Sequence, residues 1–246
     1  RQQQPRALRR HRRGVIVTRR ESKSTPPLWN IMNEHLPPLI RMVGDSVRAA
    51  FDAASGRYSA LANVAGQGVR RHEWSERPMY ALTPLELERC QMRPGVPLRG
   101  VPADPTGMYC YGIDSGERVV LCHEYIGPGL RYEEIRVHEN ECVTAIRFHT
   151  EAAGREVICV EVLMTADGIA RGSCAWATHG GSVEHYEYLH GRLNTAWSAS
   201  REHAWRPDRV ETSRDVFSYS SGSLVEIVRE FDSGGRERLF PKRRYL

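Results

Sequence analysis

Lysine is nearly missing from this 246-residue chain, in which Lys23 and Lys242 stand against thirty-three arginines. The bias points to GC-rich coding DNA and carries no functional message. Paired cysteines are also missing. The six cysteines, at positions 90, 110, 122, 142, 159 and 174, include no CxxC pair, which removes the ligand spacing that common zinc sites use. Several fall inside apolar runs, such as Cys122 after Val119-Val120-Leu121 and Cys159 within Val157-Ile158-Cys159-Val160. They read as buried free thiols packed as small hydrophobes in a reducing, cytoplasmic compartment. No run of about 18 apolar residues occurs, so no membrane span is expected.

The familiar signatures of chemistry are absent as well. His123-Glu124 and His138-Glu139 open like HExxH, but the fifth positions are Gly127 and Cys142, so the second histidine that zinc needs is missing. His185-Tyr186-Glu187 has the HxE of nucleobase deaminases without the PCxxC that completes the zinc site. Gly66-Gln67-Gly68 and Gly127-Pro128-Gly129 each lack the third glycine of a dinucleotide fingerprint, and neither a phosphate loop nor a GxSxG elbow is present. Neither a metal nor a cofactor is expected.

Charge is divided unevenly. The chain carries a formal +5, yet nine of its cations and a single anion, Glu21, precede Met32, which leaves the remainder at −3. Residues 1–31 read as a disordered Arg-rich arm, without the apolar core of a secretory signal. An Arg-rich transit peptide, a nucleic-acid-binding tail and translated DNA upstream of a start at Met32 all fit it. The last is favoured, because the composition changes sharply there; nucleic acid would be contacted only through this arm.

Residues 32–106 read as a helical and irregular region. Leu36, Leu39, Ile40, Val43, Val47, Ala50, Phe51 and Ala54 recur at three- and four-residue steps, which predicts an amphipathic helix from about Pro38 to Ala54, ended by Gly56. Thr83-Pro84-Leu85-Glu86 has the form of a capping box and predicts a short second helix to about Gln91. Prolines 94, 97, 102 and 105 with Gly95, Gly100 and Gly107 then make a stiff connector and a candidate subdomain boundary.

From residue 107 to 246 the period becomes alternating, with turn signals at Asp114-Ser115-Gly116, Glu139-Asn140, Ala153-Gly154, Asp167-Gly168, Gly180-Gly181, His190-Gly191, Ser221-Gly222 and Asp232 to Gly235. Ten to twelve mostly antiparallel strands are expected. The chain as a whole is read as α+β, mostly β: a large curved antiparallel meander, open-barrel or sandwich-like, with an N-terminal amphipathic helix and one short helix. The run Val157 to Leu163 is apolar on both faces apart from Glu161, so that strand should be covered on both sides.

A phrase of aromatics, a small turn with glycine, a polar residue and an aliphatic recurs, as Tyr186 to Leu193 and Phe217 to Leu224, and more loosely from Tyr109, Phe148 and Phe231. These phrases resemble the YD repeats of RHS-type proteins, the hairpin repeats of bacterial polymorphic toxins and their shells. The resemblance implies a meander and a toxin-related context.

Two functional readings follow. The first is a non-enzymatic module that binds another protein, an immunity-type protein occluding a toxin being one version, with Glu133, Glu134, Glu139 and Glu141 as an acidic contact surface for a basic partner. The alternative is a small-molecule-binding protein or enzyme with its site on the concave sheet face, lined by His149, Trp176, His185 and Tyr188. A pocket with convergent polar groups, as opposed to a flat or dry sheet face, separates the two.

Overall fold

A computed structural model describes residues 38–151, 154–202 and 210–241, with side chains from Ser46 onward; the Arg-rich arm lies outside the described residues. Twelve strands form one sheet whose strand order is the chain order. They are β1 (Arg71–Ser75), β2 (Tyr109–Ile113), β3 (Val119–Gly127), β4 (Leu130–His138), β5 (Cys142–Glu151), β6 (Gly154–Ala166), β7 (Ile169–Ala177), β8 (Gly180–Leu189), β9 (Arg192–Glu202), β10 (Val210–Ser220), β11 (Ser223–Phe231) and β12 (Arg236–Phe240). Every neighbouring pair is antiparallel, and β1 and β12 do not pair, so the meander is open. At Asp167-Gly168, His190-Gly191 and Ser221-Gly222 both turn residues have positive φ. That is the type I′ turn whose twist matches flanking antiparallel strands, and it accounts for the recurring aromatic-turn-glycine phrase.

The first helix, α1 (Pro38–Gly68), runs twelve residues past the expected stop at Gly56. Gly56 faces open space and costs about 1 kcal/mol relative to alanine. The apolar face outweighs it. Val47, Ala54 and Ala65 are buried and Phe51, Tyr58, Leu61 and Ala62 pack with them, over Ile135, Ile146, Phe148, Val160, Met164 and Val183 of the sheet. Strand β1 was not anticipated, because Arg71, His72 and Glu73 give it no apolar alternation. The expected turn at Gly180-Gly181 lies two residues earlier, at Thr178-His179. Gly181 is instead a strand residue opposite Trp176, and a Cβ there would come within 3.2 Å of the indole ring. Gly127-Pro128-Gly129 is the β3–β4 hairpin turn.

Residues 76–107 cross the other face. The helix within them, α2 (Glu86–Arg89), is a single turn. Glu86 Oε2 accepts from the backbone N–H groups of Leu82 at 3.0 Å and Thr83 at 3.3 Å, which is the glutamate half of the capping box. The threonine half does not form, since the Thr83 hydroxyl donates to the same oxygen. Tyr80 donates to Glu73 on β1, and Gln91 reaches Glu237 on β12. Residues 82–91 are bends, turns and one helical turn, so Tyr80 to Gln91 spans well under the roughly 38 Å of eleven extended steps. Twelve flat strands would be about 53 Å across. One short segment touches both edges because the sheet curves around it.

Leu82 and Leu85 fill that concavity against Leu163, Tyr186, Leu193, Phe217, Ile227 and Leu239. Strand β6 is thus covered on both faces as its apolar run predicts, with Val160 and Met164 toward α1 and Leu163 in the second core. Residues 79–85, which precede the proline-rich connector, share their cores with residues beyond 107.

A neutral quartet of charges fastens α2 to the strands. Arg89 donates through Nε to Asp215 Oδ2 at 2.8 Å and through Nη1 to Glu184 Oε2 at 2.8 Å. Arg229 donates to both oxygens of Asp215, at 2.7 and 2.9 Å, and Tyr186 donates to Glu184 at 2.6 Å. Asp215 is 1% exposed. Its burial favours the neutral acid, but the guanidiniums of Arg229 and Arg89 outweigh this and hold its carboxyl below the usual range. Asp215→Ala leaves the buried Arg89 and the half-buried Arg229 without their shared anion and should cost about 3 to 5 kcal/mol of folding stability in urea denaturation. A loss below about 1 kcal/mol would show that the quartet does not anchor α2.

Candidate functional site

Between β2 to β6 and residues 78–92 lies a cavity of about 350 Å³, within the size range of small-molecule sites. The antiparallel register builds its floor. Tyr111, Cys122, Glu134, Arg147 and Cys159 are successive cross-strand partners from β2 to β6. Beside that row run Tyr109, Glu124 and Tyr132 on one side, and Arg136, Ala145 and Glu161 on the other. Because side chains alternate faces along a strand, residues two apart on each strand line the same cavity. Pro78, Tyr80, Leu82, Glu86, Leu87 and Met92 form the roof.

Most of the charge inside is already paired. Arg147 donates to Glu124, which also accepts from the Tyr109 hydroxyl at 2.9 Å, and the Arg147 guanidinium lies 4.8 Å from the centre of the Tyr132 ring. Arg136 donates to Glu134 at 2.7 Å and to the backbone carbonyl of Tyr80 at 2.9 Å, tying roof to floor. Burial pushes the Tyr109 hydroxyl up to about 12, with the Glu124 carboxylate adding to the effect. The Cys122 and Cys159 thiols are each pushed up to about 12, chiefly by burial.

Glu161 differs from the other carboxyls. It is half-buried in the cavity lining; burial disfavours its ionised form, and Glu86, Glu184 and Glu134 add like charge, while the hydrogen bond with Ser173 only partly opposes this. The carboxyl is pushed up to about 8 and is mostly protonated at neutral pH. Among the described residues no guanidinium is paired with it.

The residues expected from the sequence do not assemble. Glu133 is no surface group: it is 2% exposed on the α1 face, accepting from Tyr58 at 2.6 Å and Arg131 at 2.9 Å with His123 at 3.2 Å. Burial opposes its charge, but the His123, Tyr58 and Arg131 contacts outweigh it and bring the carboxyl down to about 2. Glu134 points the opposite way, into the cavity, and only Glu139 and Glu141 are exposed at the β4–β5 turn. The acidic surface is therefore divided among three places, as alternation along β4 requires.

Of the expected pocket residues, Trp176 packs toward α1, with Arg48 5.3 Å from its ring centre. His185 shares that face with Val183, and its buried Nδ1 has no hydrogen-bond partner. Tyr188 packs into the second core. His149 lies on the cavity face beside Tyr132, at 5.3 Å between ring centres, but outside the cavity lining. What sequence reading missed were Tyr109, Tyr111, Glu124, Arg136, Arg147 and Glu161. One signal was available: Glu161 is the lone charge in the run Val157 to Leu163, which is otherwise apolar on both faces.

Glu161 also makes stability depend on pH. Folded, it keeps its proton to about pH 8, whereas unfolded it releases it near pH 4.3. The native state binds the extra proton between those values, so the contribution of this group is complete below about pH 4 and is lost as pH rises toward 8. Glu161→Gln should change stability little at pH 5 and raise it by about 2 to 5 kcal/mol at pH 9. Equal effects at both pH values in urea denaturation would contradict a raised carboxyl. Glu133 acts with the opposite sign, its contribution present above about pH 4 and lost toward pH 2.

Among the described residues no group of three or more His, Cys, Asp or Glu side chains is arranged to hold a metal ion, and no helix is long and apolar enough to cross a membrane. No known protein family, curated protein or solved structure matches the chain.

Proposed function

We propose that this protein binds a small molecule in the cavity between β2 to β6 and residues 78–92. The observation that carries this reading is the convergence, in one 350 Å³ space, of polar groups from five adjacent strands and from the segment that roofs them. An apolar core would have filled the space with aliphatic side chains. Here tyrosine rings, two guanidiniums held by carboxylates, and the carboxyls of Glu86 and Glu161 line it instead. Fixed ion pairs flanking an open volume orient a ligand without themselves reorganising. Glu161, protonated at neutral pH, is placed to donate a hydrogen bond or to give up its proton.

The protein-binding reading has less to stand on, since its acidic surface is divided between a buried cluster, the cavity and a hairpin turn. The immunity-type role would need another surface.

Ala145 is buried in the cavity floor, between Arg136 and Glu161 in the cross-strand register. Ala145→Trp should fill the space. Native mass spectrometry of the full chain, incubated with extract of small metabolites, should then show a bound species for the parent protein and none for the variant. A bound species retained by the variant, or a stoichiometric protein partner and no small molecule, would overturn the reading.

A further inference from the structure

The cavity is chemically uneven from end to end. At the β2 end stand three tyrosines: Tyr80 meets Tyr111 edge-on with centres 5.0 Å apart, and Tyr109 stacks beside Tyr111 at 6.3 Å. At the β6 end stands Glu161, separated from Arg136 by the small Ala145. Between them both guanidiniums are committed, Arg136 to Glu134 and Arg147 to Glu124.

We propose that the molecule bound in this cavity carries a basic nitrogen, seated as an ammonium on the Glu161 carboxylate, with its apolar or aromatic body against Tyr80, Tyr109 and Tyr111. The inference rests on the cavity being a binding site. It follows from which charges are free to be answered. The carboxylates of Glu124 and Glu134 have arginine partners, and Glu86 is satisfied by the N–H groups of Leu82 and Thr83. The carboxylates that act most on Glu161 are Glu86 from α2, Glu134 from β4 and Glu184 from β8, with the Ser173 hydroxyl from β7; Arg136, across Ala145 on the same face, is engaged by Glu134. All three charges are negative, although Glu134 and Glu184 are themselves held by Arg136 and Arg89.

An arriving cation is therefore the one class of charge that lowers the energy of this end. An anion would have to displace a carboxylate from Arg136 or Arg147 and would meet Glu161 as well. A neutral molecule would leave the carboxyl protonated and gain one hydrogen bond. An ammonium gains a charge-assisted pair beside a half-buried carboxyl, a stronger contact than a hydrogen bond between neutral groups. The tyrosine wall accepts an apolar body, since its hydroxyls are already engaged by Glu73, Glu124 and the backbone N–H of Met79.

The proton balance is definite. The ligand nitrogen arrives and stays protonated, Glu161 gives its own proton to the buffer, and an ammonium–carboxylate pair remains. At pH 7 and below each binding event thus releases close to one proton, falling to about half near pH 8. Amine affinity should rise about tenfold per pH unit between pH 6 and 7.5 and level off above 8.

The test is isothermal titration calorimetry of the full chain with three probes of one shape: 2-phenylethylamine, 2-phenylethanol and 3-phenylpropionate. At pH 7 the amine should bind at least about tenfold more tightly than either other probe. Its apparent enthalpy should differ between phosphate and Tris by the ionisation heat of the released proton. Glu161→Gln, the neutral isostere of the protonated acid, should bind amine and alcohol alike. An alcohol that binds as tightly as the amine, an amine preference that survives in Glu161→Gln, or binding without proton release would each overturn the ammonium assignment while leaving the cavity as the site. Binding of every probe undiminished by Ala145→Trp, or no binding of any probe at millimolar concentration, would overturn the cavity reading itself.

Discussion

The quartet of Arg89, Glu184, Asp215 and Arg229, built around the buried Arg89 and Asp215, is the constraint on which the rest of this structure depends. It joins a one-turn helix to strands that follow it by 95 to 126 residues. A single turn has almost no intrinsic stability, so α2 exists where it does because its arginine is captured. The quartet is electrically neutral and internally satisfied, which is the condition under which charge is tolerated in an interior. With α2 fixed, residues 78–92 are held across the concave face, and the sheet has something to curve around.

The two faces of the sheet solve different problems. The α1 face is closed by close packing, and its one buried carboxyl, Glu133, is fully engaged by Tyr58, Arg131 and His123. The concave face is closed at the β8 to β12 end by Leu82, Leu85 and Tyr186, and left open over β2 to β6. Glu133 and Glu134, adjacent in the chain, illustrate the contrast. One has its charge reinforced by a helix that covers it; the other lines an accessible space beside an arginine.

Much of the architecture was legible in the sequence because antiparallel meanders are built from local signals. Asp167-Gly168, His190-Gly191 and Ser221-Gly222 specify their hairpins within two residues, and the doubly apolar run at β6 announces that both faces are covered. Features that depend on distant partners were not legible. Gly56 reads as a helix stop until the sheet beneath Tyr58, Leu61 and Ala65 is known. Gly180-Gly181 reads as a turn until Trp176 is seen to lie across it. The site was the least legible part, because its floor is a row running across five strands: Tyr111, Cys122, Glu134, Arg147 and Cys159 are 48 residues end to end and become neighbours only through register. The expected pocket residues were chosen by side-chain type, and alternation sent Trp176 and His185 to the opposite face from Tyr188 and His149.

The strict sequential order of the strands has a consequence for how the molecule is made. Each hairpin from β2 onward pairs with the strand just before it, so the sheet can lengthen as the chain emerges, with short loops to close at every step. The roof over the cavity follows a different schedule. Residues 78–92 are synthesised before nearly all of the sheet, yet Asp215 and Arg229, which capture Arg89, lie in β10 and β11. The segment that completes the site is thus made well before the strands that secure it, and the cavity is closed only once β10 and β11 have joined the sheet.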